Sequence, residues 1–180
     1  MTSRAARAAV LPSVLSLLAL AVPAAAAQSL GVEDPAGDSY RDKLDITTAT
    51  GHNHDSRLAA RVGLAEMEKG SVIVSVDRRQ GSGVRLVTKR RADGTVRSLV
   101  LPGAFTDTQA AGDVTCPGFR ARWDDEASTV VLRMPSRCWN DGDYGAVRFA
   151  VLTENGGGDV DWAPADEDGE IGSSAWVARG

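Results

Sequence analysis

The chain has 180 residues, of which 43% are hydrophobic and 24% are charged, and its formal net charge at pH 7 is −4. A mildly acidic balance of this kind argues against nucleic acid or an anionic membrane as the partner. The length is sufficient for one ordinary domain with its own core after removal of a leader.

The first 27 residues have the pattern of a secretory signal peptide. Two arginines precede an apolar run from Ala8 to Val22, and a series of small residues follows it up to Ala27. A basic flank, a short apolar segment and a small-residue cleavage site are typical of export signals. We therefore expect residues 1–27 to be removed and residues 28–180 to form one secreted domain without a membrane span.

Several carboxylates are crowded at the start of that domain, in the stretch DPAGDSYRDKLDI, residues 34–46. Pro35 and Gly37 favour a turn that brings carboxylates together. Calcium takes crowded, hard oxygen ligands. We expect Asp34, Asp38 and Asp45 to bind a structural Ca²⁺, and the alternative is a solvated loop that leads into the first strand.

The same stretch carries a family resemblance. Its DPxGD motif at residues 34–38, followed by Asp45-Ile46 at the start of a strand, resembles the opening of secreted β-sandwich modules of the DOMON and family 9 carbohydrate-binding type. The resemblance implies a jelly-roll-like sandwich that often carries a structural calcium near this opening. Members bind sugars, haem or a partner domain. Beyond this stretch, the chain has the general features of an exported bacterial protein.

Short alternating or β-branched runs, bounded by Gly, Asp, Asn and Pro, continue along the chain. We predict nine strands, at residues 44–50, 57–66, 71–77, 84–91, 95–101, 119–123, 129–134, 146–153 and 174–178. In the seventh, Val130, Leu132 and Met134 share one face because side chains alternate along a strand. The spacing predicts an all-β, antiparallel, jelly-roll-like sandwich.

Two histidines, His52 and His54, share a strand face if the first predicted strand continues through them. This spacing occurs in zinc and copper sites. The alternative is a hairpin in which Asn53, Asp55 and Ser56 form the turn. Although the stretch contains His, Asp and Ser, a catalytic triad requires convergent residues, and no G-x-S-x-G motif is present.

The only two cysteines, Cys116 and Cys138, are expected to form a disulfide in an exported protein. The alternative, a reactive thiol, requires a neighbour that stabilises the thiolate, such as a histidine, and none is near in sequence. The bridge should therefore stabilise the fold by closing a loop.

Four tryptophans are the remaining large features. We expect Trp123 and Trp176 to pack in or beside strands and Trp139 to pack near the disulfide. Trp162 lies in an acidic tract that we interpret as a surface loop, residues 155–170. Since exposed tryptophans stack on sugar rings, Trp162 is the candidate ligand-binding residue.

Three classes of function remain open. The leading hypothesis is a secreted, non-enzymatic binding module, stabilised by calcium, for a glycan or a cell-envelope component. The alternative is a structural or protein-interaction domain with no small-molecule ligand. A carboxylate-based hydrolase ranks third because the chain shows no recognisable nucleophile, metal motif or cofactor loop, and we assign no catalytic residue. The oligomeric state is left open.

Overall fold

The structure, a computed structural model, describes residues 29–40, 44–108, 114–156 and 158–180. The predicted signal peptide, residues 1–27, lies outside the described residues. Ten strands occupy the described residues: β1 (Ser29–Glu33), β2 (Ile46–His54), β3 (Arg57–Leu64), β4 (Gly70–Arg78), β5 (Val84–Arg90), β6 (Val96–Pro102), β7 (Arg120–Asp124), β8 (Thr129–Pro135), β9 (Val147–Asn155) and β10 (Gly158–Ala163). Two 3₁₀ turns, Ser136–Cys138 and Asn140–Gly142, separate β8 from β9. No helix in the described part of the chain has the length and apolar character that crossing a membrane requires.

The strands form two five-stranded antiparallel sheets. The first sheet has the order β1-β2-β3-β8-β7, and the second has the order β10-β9-β4-β5-β6. The predicted fold class, an all-β antiparallel sandwich with one disulfide, is confirmed, although the described residues form ten strands and not nine.

The core lies between the two sheets and follows the alternation of the sequence. Val130, Leu132 and Met134 of β8 are all fully buried, as predicted from their shared face. Phe149 and Val151 of β9 are buried from the other sheet. Since burial of one such side chain contributes about 1.5–3 kcal/mol, this apolar layer drives the two sheets together.

The structure differs from the prediction in three elements. The short strand β1 was not predicted, and β10 occupies part of the predicted loop 155–170. The strand predicted at residues 174–178 was wrong, because only Val177 forms a β-bridge there, with Val147. The end of the chain therefore contacts the start of β9, at Val177 and through the hydrogen bonds between Ser174 and Phe149, without adding a strand to the sheet.

The predicted disulfide is confirmed. Cys116 and Cys138 are bonded, with their Cα atoms 5.1 Å apart. The bridge joins the segment before β7 to the 3₁₀ turn after β8, and both cysteines pack against the core. It therefore closes a 22-residue separation around the β7–β8 hairpin.

Residues 52–56 do lie in a hairpin, but the turn consists of Asp55 and Ser56 alone, because β2 continues through Asn53. β2 ends at His54, β3 begins at Arg57, and these two residues are paired across a two-residue turn. The side chain of Asn53 points inward and donates to the carbonyls of Gly145 and Val177. The flanking histidines lie on the opposite, outer face of the sheet because side chains alternate.

Candidate functional site

The loop between β1 and β2 contains the carboxylates that the sequence analysis singled out. The carboxylate of Asp45 accepts hydrogen bonds from the backbone N–H groups of Gly37, at 2.8 Å, and Ser39, at 3.2 Å. Asp45 is only 5% exposed. The Asp45 side chain therefore stabilises the conformation of the loop, because its two oxygens accept hydrogen bonds from backbone donors of the turn.

The same loop is fastened to β10 of the other sheet. The backbone N–H of Tyr40 donates to the carbonyl of Val160 at 2.7 Å. The buried carboxylate of Asp161 accepts from the N–H of Ile46 at 2.5 Å and from its neighbour Trp162 at 2.8 Å. Residues that are more than a hundred positions apart thus meet where the edges of the two sheets approach each other.

These contacts place three carboxylates around one point. One carboxylate oxygen from each of Asp34, Asp38 and Asp161 lies within 4.8 Å of the other two. The Oδ2 atom of Asp34 is buried and has no hydrogen-bond partner. A buried carboxylate oxygen without a partner is costly, and among the described residues no positive group or donor compensates this one.

Two carboxylates of the cluster have raised pKa values. The pKa of Asp34 is raised to about 7, first by burial and then by the charges of Asp161, Asp38 and Asp45. The pKa of Asp161 is raised to about 6, mainly by burial, although the N–H groups of Ile46 and Trp162 oppose the rise. Burial and mutual repulsion therefore both oppose the ionisation of Asp34 and Asp161.

The geometry suits a calcium ion. Calcium binds six to eight oxygens at about 2.3–2.6 Å, so two of its ligands are separated by at most about 5 Å. The three oxygens of Asp34, Asp38 and Asp161 satisfy this limit. Carboxylate oxygens are the hard ligands that calcium prefers, and backbone carbonyls or water complete such a sphere.

The structure thus brings together two of the three predicted ligands and adds a third. Asp161 takes the place given to Asp45, whose oxygens are used by the turn. Sequence reasoning missed Asp161 because it assigned this segment to a solvated loop. The available signal was Val160-Asp161-Trp162-Ala163, in which apolar residues flank a carboxylate as they do in a strand.

The four tryptophans have different environments. Trp139 is buried and stacks on Tyr144, while Trp123 donates its indole N–H to the hydroxyl of Thr88. Trp176, expected in a strand, is instead 37% exposed, with Arg148 over its ring.

Trp162, predicted to be exposed in a loop, is half-buried on β10. Its indole N–H donates to the carbonyl of Gly169 at 3.0 Å. The role of Trp162 in sugar binding remains a prediction.

The two histidines lie side by side on the outer face of β2. The rings of His52 and His54 are stacked, with centroids 5.7 Å apart. The pKa of His52 is lowered, first by burial and then by the neighbouring charges of His54 and Arg57. No acidic residue, cysteine or further histidine joins them in a metal-sized cluster within the described part of the chain.

The chain was also compared with known proteins. No family model, curated protein or solved structure matches it. A functional assignment therefore depends on the geometry and chemistry of its own residues.

Proposed function

We propose that this protein is an exported, non-enzymatic binding module that is stabilised by calcium and recognises a glycan or a cell-envelope component. The observation that carries the proposal is the cluster of Asp34, Asp38 and Asp161 around a buried carboxylate oxygen that has no partner. A divalent cation at this position removes the repulsion and supplies the missing partner.

The position of the cluster explains why a cation stabilises the fold. Asp34 directly follows β1 of the first sheet, and Asp161 lies on β10, at the edge of the second sheet. A cation between them ties the two sheets together at one edge, where the β1–β2 loop already contacts β10. Such an ion binds the native state alone and adds RT ln(1 + [L]/Kd) to the free energy of unfolding.

The binding role is supported by the surface of the same sandwich. A cavity of about 660 Å³ lies against the outer side of β3, β7 and β8 and reaches β6 of the second sheet, and another of about 240 Å³ lies beside it on the first sheet. The volume of the larger cavity lies in the range that is typical of small-molecule sites. The DOMON and carbohydrate-binding resemblance of the opening stretch points in the same direction and remains a prediction.

The cation is tested by the thermal unfolding midpoint of the oxidised protein in EDTA, in calcium and in magnesium. A concentration of calcium one hundred times Kd adds about 2.7 kcal/mol, and for a chain of this size it raises the midpoint by about 5–10 °C. Asp161→Asn keeps an oxygen for the N–H of Ile46 but removes the charge, so it should abolish most of the rise. An unchanged midpoint in calcium would exclude the cation site.

A further inference from the structure

The outer face of the first sheet concentrates positive charge in a chain that is acidic as a whole. Five exposed arginines project from three of its strands: Arg57, Arg61, Arg120, Arg122 and Arg133. They occupy alternate positions with respect to the buried core residues, so they all belong to the solvent side. We call this surface, together with His52 and His54 of β2, the arginine face.

The register of the strands shows how the face is built. His52, Ala59 and Arg133 are successive partners across β2, β3 and β8. Arg57 and Arg61 lie two positions before and after Ala59, on the same side of β3. Because the side chain of Ala59 is small, it leaves a depression between the larger cationic and hydrogen-bonding side chains around it. This depression is the cavity of about 240 Å³.

A second, larger cavity continues the first. The cavity of about 660 Å³ shares Arg61, Val131 and Arg133 with the smaller one. From there it extends over Arg120 to Ser98 of β6, in the other sheet. The two cavities therefore form one groove that runs across the strands from β2 to β7.

The charges of this groove are largely uncompensated. Among the described residues that line it, Asp124 alone carries a carboxylate, and it pairs with Arg122 at 2.8 Å. Arg120 and Arg133 stand directly opposite each other in the β7–β8 register. Like charges in such opposed positions destabilise a sheet.

We propose that the arginine face binds an acidic glycan, a sugar chain that carries carboxylate or sulfate groups. This inference specifies the ligand class of the binding module proposed above; it rests on that binding role and is independent of the calcium site. Arginine forms paired hydrogen bonds with such oxyanions. The histidines and Ser98 offer hydrogen bonds to hydroxyl groups, and Val131 offers apolar contact to the carbon face of a sugar ring.

Size and charge favour a glycan over other polyanions. Three spacings between neighbouring strands, from β2 to β7, give a width of about 14 Å. This is well below the roughly 34 Å of one DNA turn. The formal charge of −4 also weakens long-range attraction to a nucleic acid or an anionic membrane. A short acidic oligosaccharide fits the groove and needs only local charge complementarity.

Titration calorimetry on the oxidised protein tests the proposal with a hexasaccharide of galacturonic acid, a sulfated oligosaccharide and a neutral glucose hexasaccharide. At least one acidic probe should bind, with weaker affinity at higher salt, whereas the neutral probe should not. Arg61→Gln and Arg133→Gln should each weaken binding by about tenfold, or ~1.4 kcal/mol. NMR signals of the His52 and His54 rings should shift on binding.

Arg97→Gln is the matched control. Arg97 is an exposed strand arginine that pairs with Lys89 in the second sheet, and it lines neither cavity. Arg97→Gln changes the net charge by the same amount as the groove variants. Because Arg97 lies outside the groove, this change should leave the affinity unchanged. Unfolding midpoints of the Arg61 and Arg133 variants that are no lower than that of the wild type show that their folds are intact.

The remaining outcomes separate the two proposals. Equal weakening by Arg97→Gln, or tighter binding of duplex DNA or of phosphatidylserine vesicles, overturns the acidic-glycan inference. Binding of the neutral probe that is lost in Trp162→Ala also overturns it but leaves the binding module standing. If no sugar binds, the inference and the binding role both fail, while the calcium-dependent midpoint still tests the cation site.

Discussion

Replacement of Asp34 by asparagine should change the stability of this protein in opposite directions with and without calcium. Without calcium, Asp34 is a carboxylate whose pKa is raised to about 7 by burial and by three neighbouring carboxylates. At pH 8 its charge opposes folding. Because the group is partly solvated, screening reduces this cost to about 1 kcal/mol. Asp34→Asn removes the charge, so the variant should be more stable by that amount, which corresponds to about 2–4 °C in the unfolding midpoint.

In calcium the order should reverse. The wild-type midpoint rises by several degrees through binding to the native state, whereas the variant lacks a charged ligand and gains little. Differential scanning calorimetry at pH 8, in EDTA and in excess calcium, gives both midpoints. Asp168→Asn, in the exposed acidic loop, is the matched control and should change neither midpoint. If Asp34→Asn is less stable in EDTA and still responds to calcium like the wild type, the account of the cluster is refuted.

Three further predictions follow from the same structure. In EDTA, the folded protein holds protons on Asp34 and Asp161 up to about pH 7 and about pH 6, above the ordinary 3.8. The free energy of unfolding should therefore fall as the pH rises from 5 to 8. Urea titrations at the two pH values measure this change, and equal free energies would show that the two pKa values are not raised. Reduction of the disulfide should lower the free energy of unfolding by about 3 kcal/mol for a loop of this size, and an unchanged urea midpoint in reducing agent would contradict this. Leu132→Ala removes a fully buried side chain and should cost about 2–5 kcal/mol, whereas Arg97→Gln should cost under about 0.5 kcal/mol in the same titration.

The β-sandwich could be predicted from the sequence because its strands have period-two patterns. In β8, the alternation of Val130, Leu132 and Met134 with more polar neighbours identifies both the strand and its inner face. The pattern fails at residues 174–178, where Trp176 and Val177 resemble a strand but only one residue pairs with β9. Local composition gives the preference for extended backbone, while pairing in a sheet also depends on residues that are distant in the sequence.

The third carboxylate of the Asp34, Asp38 and Asp161 cluster shows why a site is harder to predict than a fold. Asp161 sits in an acidic tract, and an acidic tract is usually solvated. Its burial depends on the N–H of Ile46, a partner 115 residues away. The local pattern of residues 160–163 indicates a strand, but it cannot indicate a contact with a residue so distant in the sequence. By contrast, Asp34 and Asp38 were identifiable because they lie within a single turn.

The arginine face could be predicted from the sequence in part, less well than the fold and better than the position of Asp161. The alternation of Arg57, Ala59 and Arg61 is visible in the sequence and places both arginines on the solvent side of β3. Arg133 has the same outward position on β8, but only the sheet order β2-β3-β8-β7 brings it next to Ala59. An overall negative charge conceals this concentration, since net charge averages over both faces of the sandwich. The net charge acts at long range and argues against a large polyanion as partner, whereas the local register acts at contact distance and favours a short acidic ligand. The two statements are therefore compatible.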